Sequence, residues 1–262
     1  MGMTKTLRKT NRGFHSETTL IHGCVGVGKT LLAAQFPKAY FLSLENNNSY
    51  ADLIHFDNAG TWQEAIEILD EFKEGKHDFK TIVIDGIDVF YNLCVRYYIE
   101  EYNAKINEDK EEKKISSLSD VGFAKAYDAV DKLISAALNP LDLDENYNLV
   151  LLAHTEEREI TTLGGDTFVK LVPQVPGKRP LAYFQRLAQN IFYYYFVGDK
   201  RFLKIIGDDF VVAKNRGNGK FCTTEKEPIV NIPMLNSPEE SYKYLIAAYT
   251  NKLKNSYKTI KS

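Results

Sequence analysis

The chain predicts an α/β fold, a doubly wound and mostly parallel sheet with antiparallel strands added on its C-terminal side. Three observations carry that prediction. Short apolar segments alternate with stretches of helical periodicity, the pattern of successive β–α units. Two of those segments, Thr81-Ile-Val-Ile-Asp85 and Asn148-Leu-Val-Leu-Leu-Ala153, are apolar at nearly every position, as strands covered on both faces must be. A glycine-rich turn, Gly23 to Thr30, joins a strand-like segment to a helix-like one. The composition agrees: 262 residues, 44% hydrophobic and 26% charged, suffice to bury the core of a single domain. Thirty-three Lys and Arg against thirty-five Asp and Glu leave a net charge of −2, which by itself predicts neither a nucleic-acid nor a membrane partner. No apolar run approaches the ~20 residues of a bilayer span, and the N-terminus lacks the apolar stretch of a signal peptide. Three scattered cysteines form neither a disulfide framework nor a structural zinc site, so a cytoplasmic location is expected.

Taken in order, residues 1–16 carry Lys5, Arg8, Lys9 and Arg12 without an acidic partner and read as a flexible basic arm. Residues 17–262 read as one domain. A short apolar strand starts at Thr18, and Leu31 to Gln35 form a helix ended by Pro37. Ala39 to Leu44 form a second strand, after which Glu45 and three asparagines make a loop. Apolar positions 62, 65, 66, 68, 69 and 72 fit one helical stripe, and Thr61 with Glu64 is a capping-box pair at its start. The strand ending at Asp85 leads into a long helix interrupted by the charged run Asn107 to Lys114. A helix from Phe123 to Leu138 precedes the strand 148–153. Glu159 to Lys170 reads as a hairpin around a Gly-Gly turn, and Leu181 to Gln189 as a short helix. Residues 191–197, 202–206 and 210–213 supply the closing strands, with the tyrosine run 193–195 read as core. Ser237, followed by proline, caps a final amphipathic helix over 238–254.

Gly23-x-x-x-x-Gly28-Lys29-Thr30 matches the Walker A phosphate loop and has its required context, strand before and helix after. Backbone amides of Gly23, Cys24, Val25, Gly26, Val27, Gly28, Lys29, Thr30 and Leu31 would wrap ATP phosphates, helped by the positive helix N-terminus. Lys29 would reach the β- and γ-phosphates and the Thr30 hydroxyl would ligate Mg²⁺. Asp85, closing an apolar strand, suits the second Mg²⁺-holding position, with Asp88 a weaker candidate. Glu45 follows the second strand at the same carboxyl edge and could deprotonate an attacking water or be a solvated loop residue. His154 could sense the γ-phosphate from a strand tip or be an ordinary satisfied histidine. Lys214 and Arg216, two apart beside a glycine-bearing turn, suit either a trans-acting cationic finger or an exposed basic hairpin.

With the Walker A loop, Phe41-Leu-Ser-Leu-Glu45, Thr81-Ile-Val-Ile-Asp85, Leu152-Ala-His-Thr155 and Ala213-Lys-Asn-Arg216 follow the order seen in RecA-like P-loop ATPases. The chain resembles in particular the phage-encoded AAA-type nucleotide-binding proteins, through the Ala-Gln-Phe-Pro-Lys stretch, Ser119 to Tyr127 and Ala213 to Arg216. The resemblance spans roughly residues 17 to 232. It implies a catalytic role for Glu45, a Walker B role for Asp85, and a γ-phosphate sensor at His154, on a strand between those of Walker A and Walker B. It implies that Glu156 to Pro180 form a mobile DNA-contacting loop and that Lys214 and Arg216 enter a neighbour's site in a homo-oligomer. The expected partners are thus single-stranded DNA and phage recombination or replication proteins. Arg158, Lys170, Lys178 and Arg179 are nearly balanced by Glu156, Glu157, Glu159 and Asp166, so DNA binding comes from the resemblance and not from charge. Two other functions fit a phosphate loop: a nucleotide or small-molecule kinase, and a non-catalytic nucleotide-gated module that recruits a partner through its C-terminal helix.

Overall fold

The computed structural model describes residues 13–45, 52, 54–106, 113–216 and 219–255. Its strands are β1 (Thr19–Gly23), β2 (Ala39–Ser43), β3 (His55–Asn58), β4 (Thr81–Asp85), β5 (Asn148–Thr161), β6 (Thr167–Pro173), β7 (Asn190–Val197), β8 (Lys200–Lys204) and β9 (Asn231–Met234). Its α-helices are α1 (Lys29–Ala33), α2 (Trp62–Glu74), α3 (Ile87–Ala104), α4 (Lys125–Leu143), α5 (Lys178–Leu187) and α6 (Pro238–Tyr249). The sheet runs β3-β2-β4-β5-β1-β7-β8-β9, parallel from β3 to β7 and antiparallel across β8 and β9, while β6 pairs with the outer half of β5. This is the expected α/β architecture, a mostly parallel sheet with antiparallel strands added on the C-terminal side. As the resemblance implied, β5 lies between the phosphate-loop strand and the Asp85 strand.

Period-2 side-chain alternation sends each central strand into two cores. Leu149 and Leu151 point with Leu20, Ile82 and Ile84 into one layer, closed by α2 to α5. Val150 and Leu152 point with Ile21, Phe41 and Val83 into the other, closed by α1 and α6. Both faces being covered is why these segments are continuously apolar. At α2, Thr61 accepts from the Glu64 amide at 3.2 Å while the Glu64 carboxylate accepts from the Thr61 amide at 3.1 Å, so the capping box forms. Ser237 likewise caps α6, with Pro238 at its first position.

Several boundaries differ from expectation. Phe14, read as part of the arm, sits in a 3-10 turn, only 3% exposed, against Phe36 and Tyr249. Residues 1–12 lie outside the described residues, as do 46–51 after Glu45 and 107–112 of the charged run. Helix α4 continues through Pro140 to Leu143, and α6 ends at Tyr249. Strand β5 runs eight residues past Ala153, because its outer half finds a partner in β6. Residues 210–213 are not a closing strand; single bridges at Val211 and Lys214 hold that segment instead. The sheet gains β3 and β9, short strands with weak apolar alternation. In the tyrosine run only Tyr194 enters the core. Tyr193 and Tyr195 stack on each other at 5.0 Å on the opposite, half-exposed face of β7.

Candidate phosphate-binding site

The carboxyl ends of β1, β2 and β4 and the middle of β5 meet at one edge of the sheet, where α/β proteins bind ligands. Two glycines make the loop possible. Gly28 has φ 103°, a left-handed conformation that a side chain disfavours, and a Cβ on Gly23 would stand 2.2 Å from the Tyr194 carbonyl oxygen. The cleft is lined by the loop, Phe41, Ser43, Glu45, Ile54, Phe56, Asp85, Gly86, Leu152, Ala153 and His154. Apolar Phe41, Ile54 and Phe56 escaped the sequence reading. They carry no phosphate chemistry, and Phe56 belongs to the unforeseen strand β3.

Lys29 is buried and donates from Nζ to the Gly23 and Cys24 carbonyls, each at 3.0 Å. Burial lowers its pKa, and the nearby Asp85 charge opposes that shift. The same ammonium lies 3.4 Å from His154 Nδ1, and His154 Nε2 lies 3.3 Å from Glu45 Oε1. An ammonium can only donate, so Nδ1 accepts and Nε2 carries the proton toward Glu45. The chain therefore runs Lys29 to His154 to Glu45, and the bond from His154 holds the Glu45 carboxyl below its ordinary range. Thr30 donates to Asp85 Oδ2 at 3.2 Å. Burial first, then the Glu45 charge, pushes the Asp85 carboxyl up to about 6. A hydroxyl and a carboxylate side by side are the hard oxygen donors that Mg²⁺ takes while keeping waters in its shell, so the residues fit the ion. Among the described residues no cluster of three His, Cys, Asp or Glu could form a separate metal site.

The remaining loop positions divide by exposure. Val27 is in the core, Leu31 is half-buried, Val25 is 79% exposed, and Cys24 is an exposed free thiol. Asp88 stands in the first turn of α3, outside the cleft lining.

Lys214 and Arg216 do not line this cleft. Both reach the end of α5: Lys214 Nζ donates to the Gln185 carbonyl and Arg216 Nη2 to the Arg186 carbonyl at 2.8 Å. Burial, and then Arg216, push the Lys214 ammonium down to about 8. The segment 156–180 is not a loop but the outer part of β5, β6 and the start of α5. Two of its four cations are engaged within the chain. Arg158 binds Glu156 and the carbonyls of Val175 and Gly177, and Arg179 binds Asp128 and Asp131.

A family model described as an AAA domain matches residues 16–217. The chain belongs to the AAA-domain family. A phosphate loop intact in sequence and geometry gives this AAA-domain protein the architecture of a nucleotide-binding P-loop ATPase. It is similar to the crystal structure of a KaiC-like protein from the hyperthermophilic archaeon Pyrococcus horikoshii OT3. The identity is 13%, with a TM-score of 0.44 over 86% of this chain and 88% of that one. No curated protein matches. Among the described residues no helix is long and apolar enough to cross a membrane.

Proposed function

We propose that the protein hydrolyses ATP as one subunit of a homo-oligomer that works on single-stranded DNA in phage recombination or replication. The observation that carries the hydrolytic reading is the Glu45 carboxylate, held ionised at the cleft by His154 and within one side chain of Lys29. A water oxygen attacks the γ-phosphorus, Glu45 takes the water proton, and the bond to the bridging oxygen breaks to give ADP and inorganic phosphate. Lys29 and the loop amides stabilise the charge that spreads over the phosphate oxygens. Thr30 and Asp85 would hold Mg²⁺, which neutralises phosphate charge when bound. Lys214 and Arg216 do not line the cleft of their own chain, and on this reading they leave the α5 carbonyls to act in a neighbour's cleft.

DNA and the phage setting come from the resemblance, which supplies the substrate class that the charge balance leaves open. The apolar face of α6 is spent inside the chain through Leu245, Ala248 and Tyr249, which weakens the recruiting-module alternative. The test is ATP turnover with and without single-stranded DNA, comparing wild type with Glu45→Gln, Lys214→Ala and Arg216→Ala. DNA-stimulated turnover lost in all three variants, and partly regained when Glu45→Gln and Arg216→Ala are mixed, supports the proposal. Turnover that ignores DNA and survives loss of both cations sinks it. Transfer to an added nucleoside monophosphate would favour the kinase, and binding without turnover the gated module.

A further inference from the structure

His22 is the one histidine of the sheet interior among the described residues, and the hydrolytic reading does not use it. It is fully buried on β1, immediately before Gly23. Its Nε2 lies 2.7 Å from the Val212 carbonyl and its Nδ1 lies 2.9 Å from the Thr155 hydroxyl. A carbonyl can only accept, so Nε2 carries the proton and Nδ1 accepts from Thr155. The ring packs on Tyr193 at 5.1 Å. Both ring nitrogens are therefore satisfied and the imidazole has no capacity left for a ligand.

Its two partners stand at functional places. Thr155 directly follows His154 on β5, and Val212 lies two residues before Lys214. Val212 and Lys214 are themselves held by backbone bonds, Val212 N–H to the Leu171 carbonyl at 2.9 Å and Lys214 N–H to the Ile191 carbonyl at 2.9 Å. An aliphatic side chain would fill the same interior volume. What imidazole adds is two directional bonds on a rigid ring, one to Thr155 beside His154 on β5 and one to the segment bearing the candidate finger.

We infer that His22 is a positioning residue that couples the nucleotide cleft to the Lys214–Arg216 segment through Thr155 and the Val212 carbonyl. A triphosphate entering the cleft competes for Lys29 and disturbs its contact with His154, and the neighbouring Thr155 shifts with that part of β5. The rigid imidazole passes the shift to Val212 and so to the two cations. The inference deepens the proposed hydrolysis by naming how nucleotide state in one cleft sets the finger offered to the next, and its test does not require turnover.

The test is amide hydrogen exchange over residues 208–216 with and without a non-hydrolysable ATP analogue. Thr155→Val removes the hydroxyl at nearly constant shape, Thr155→Ser restores it, and His22→Phe keeps a ring while removing both bonds. In wild type and Thr155→Ser the analogue should change exchange of 208–216 by about fivefold or more, the low end of ordinary coupling between sites. In Thr155→Val and His22→Phe that response should vanish while the analogue still binds with affinity within about twofold of wild type, a split that a merely structural role would not produce. For a wild type that hydrolyses ATP, kcat should fall and KM hold in Thr155→Val, with recovery in Thr155→Ser. The inference is overturned by a wild-type segment that ignores the analogue. It is also overturned by a Thr155→Val response equal to wild type, or by analogue affinity lost in step with the response. A wild type without turnover but with the hydroxyl-dependent exchange response would overturn hydrolysis and leave the coupling standing.

Discussion

The phosphate cleft and the Lys214–Arg216 segment were both visible as polar residues in a suggestive order, yet they end in opposite circumstances. In the cleft, Lys29 at the start of α1, His154 on β5 and Glu45 just past β2 meet within hydrogen-bond distance, and Asp85 at the end of β4 pairs with Thr30 beside them. Lys214 and Arg216, two apart in sequence, turn to consecutive carbonyls at the end of α5. The residues of the sheet edge are brought together within one chain. A site carried by a peripheral segment has its cations spent locally and becomes catalytic only if a second chain offers a better partner. Parallel pairing of β1, β4 and β5 rigidly places the first, whereas single bridges hold the second.

Kinetics should break this contrast first. Glu45→Gln should cut turnover by about 10³-fold while nucleotide binding persists, within the range for loss of a general base. Arg216→Ala should cost about as much if the cation acts across subunits, and the two inactive proteins mixed should regain activity. If Arg216→Ala changes nothing, the segment is structural and the contrast collapses to one functional region.

The next effect concerns the tie between the two regions. Burial pushes the His22 imidazole down to about 4 from an ordinary 6.5. The unfolded chain then takes up the proton first, so the stability contributed by the neutral ring is complete above about pH 6.5 and is lost as pH falls toward 4. Urea midpoints at pH 7 and pH 4 should show wild type losing on the order of 3 kcal/mol more than His22→Gln over that range. Equal losses in both proteins would mean that His22 keeps a near-ordinary pKa.

A smaller effect sharpens the assignment of the segment itself. With its ammonium near 8 while it is buried against its own α5, Lys214 should leave an alkaline limb in kcat/KM, which reports the free enzyme, of roughly tenfold between pH 7 and pH 9. Lys214→Arg should move that limb beyond pH 9, because a guanidinium stays charged. A limb unchanged by the substitution assigns the titration to another group. The smallest effect serves as a control remote from both regions. Thr61→Ala removes the α2 cap and should cost about 1 kcal/mol in a thermal melt with turnover unchanged. A loss of activity there would mean that α2 stability reaches the cleft.

Legibility followed the range of the interaction. The α2 capping box, the Ser237 cap, the glycine turn and the doubly apolar strands depend on residues within a few positions, and each formed where the pattern placed it. Elements secured by distant partners were misread. Strand β5 overran its apolar stretch because β6 supplies a ladder, and β3 was overlooked because an edge strand with exposed residues lacks a strong pattern. Phe14 read as part of a polar arm, although its ring is seated against Phe36 and Tyr249 in the body of the fold. His22 gave no signal at all. A histidine inside an apolar strand names no partner, and both of its partners are more than a hundred residues away in the chain.

By itself the sequence determined the α/β architecture, the phosphate loop and the residue types at the strand ends. Glycine at a left-handed position and apolar residues on both faces of a strand leave few alternatives. Only the tertiary structure decided which polar groups share a proton chain, that Lys214 and Arg216 face their own α5, and that Thr155, His22 and Val212 form one bridge. Hydrogen bonds depend on atoms within about 3 Å, and residues separated along the chain reach that range only through the register of the sheet.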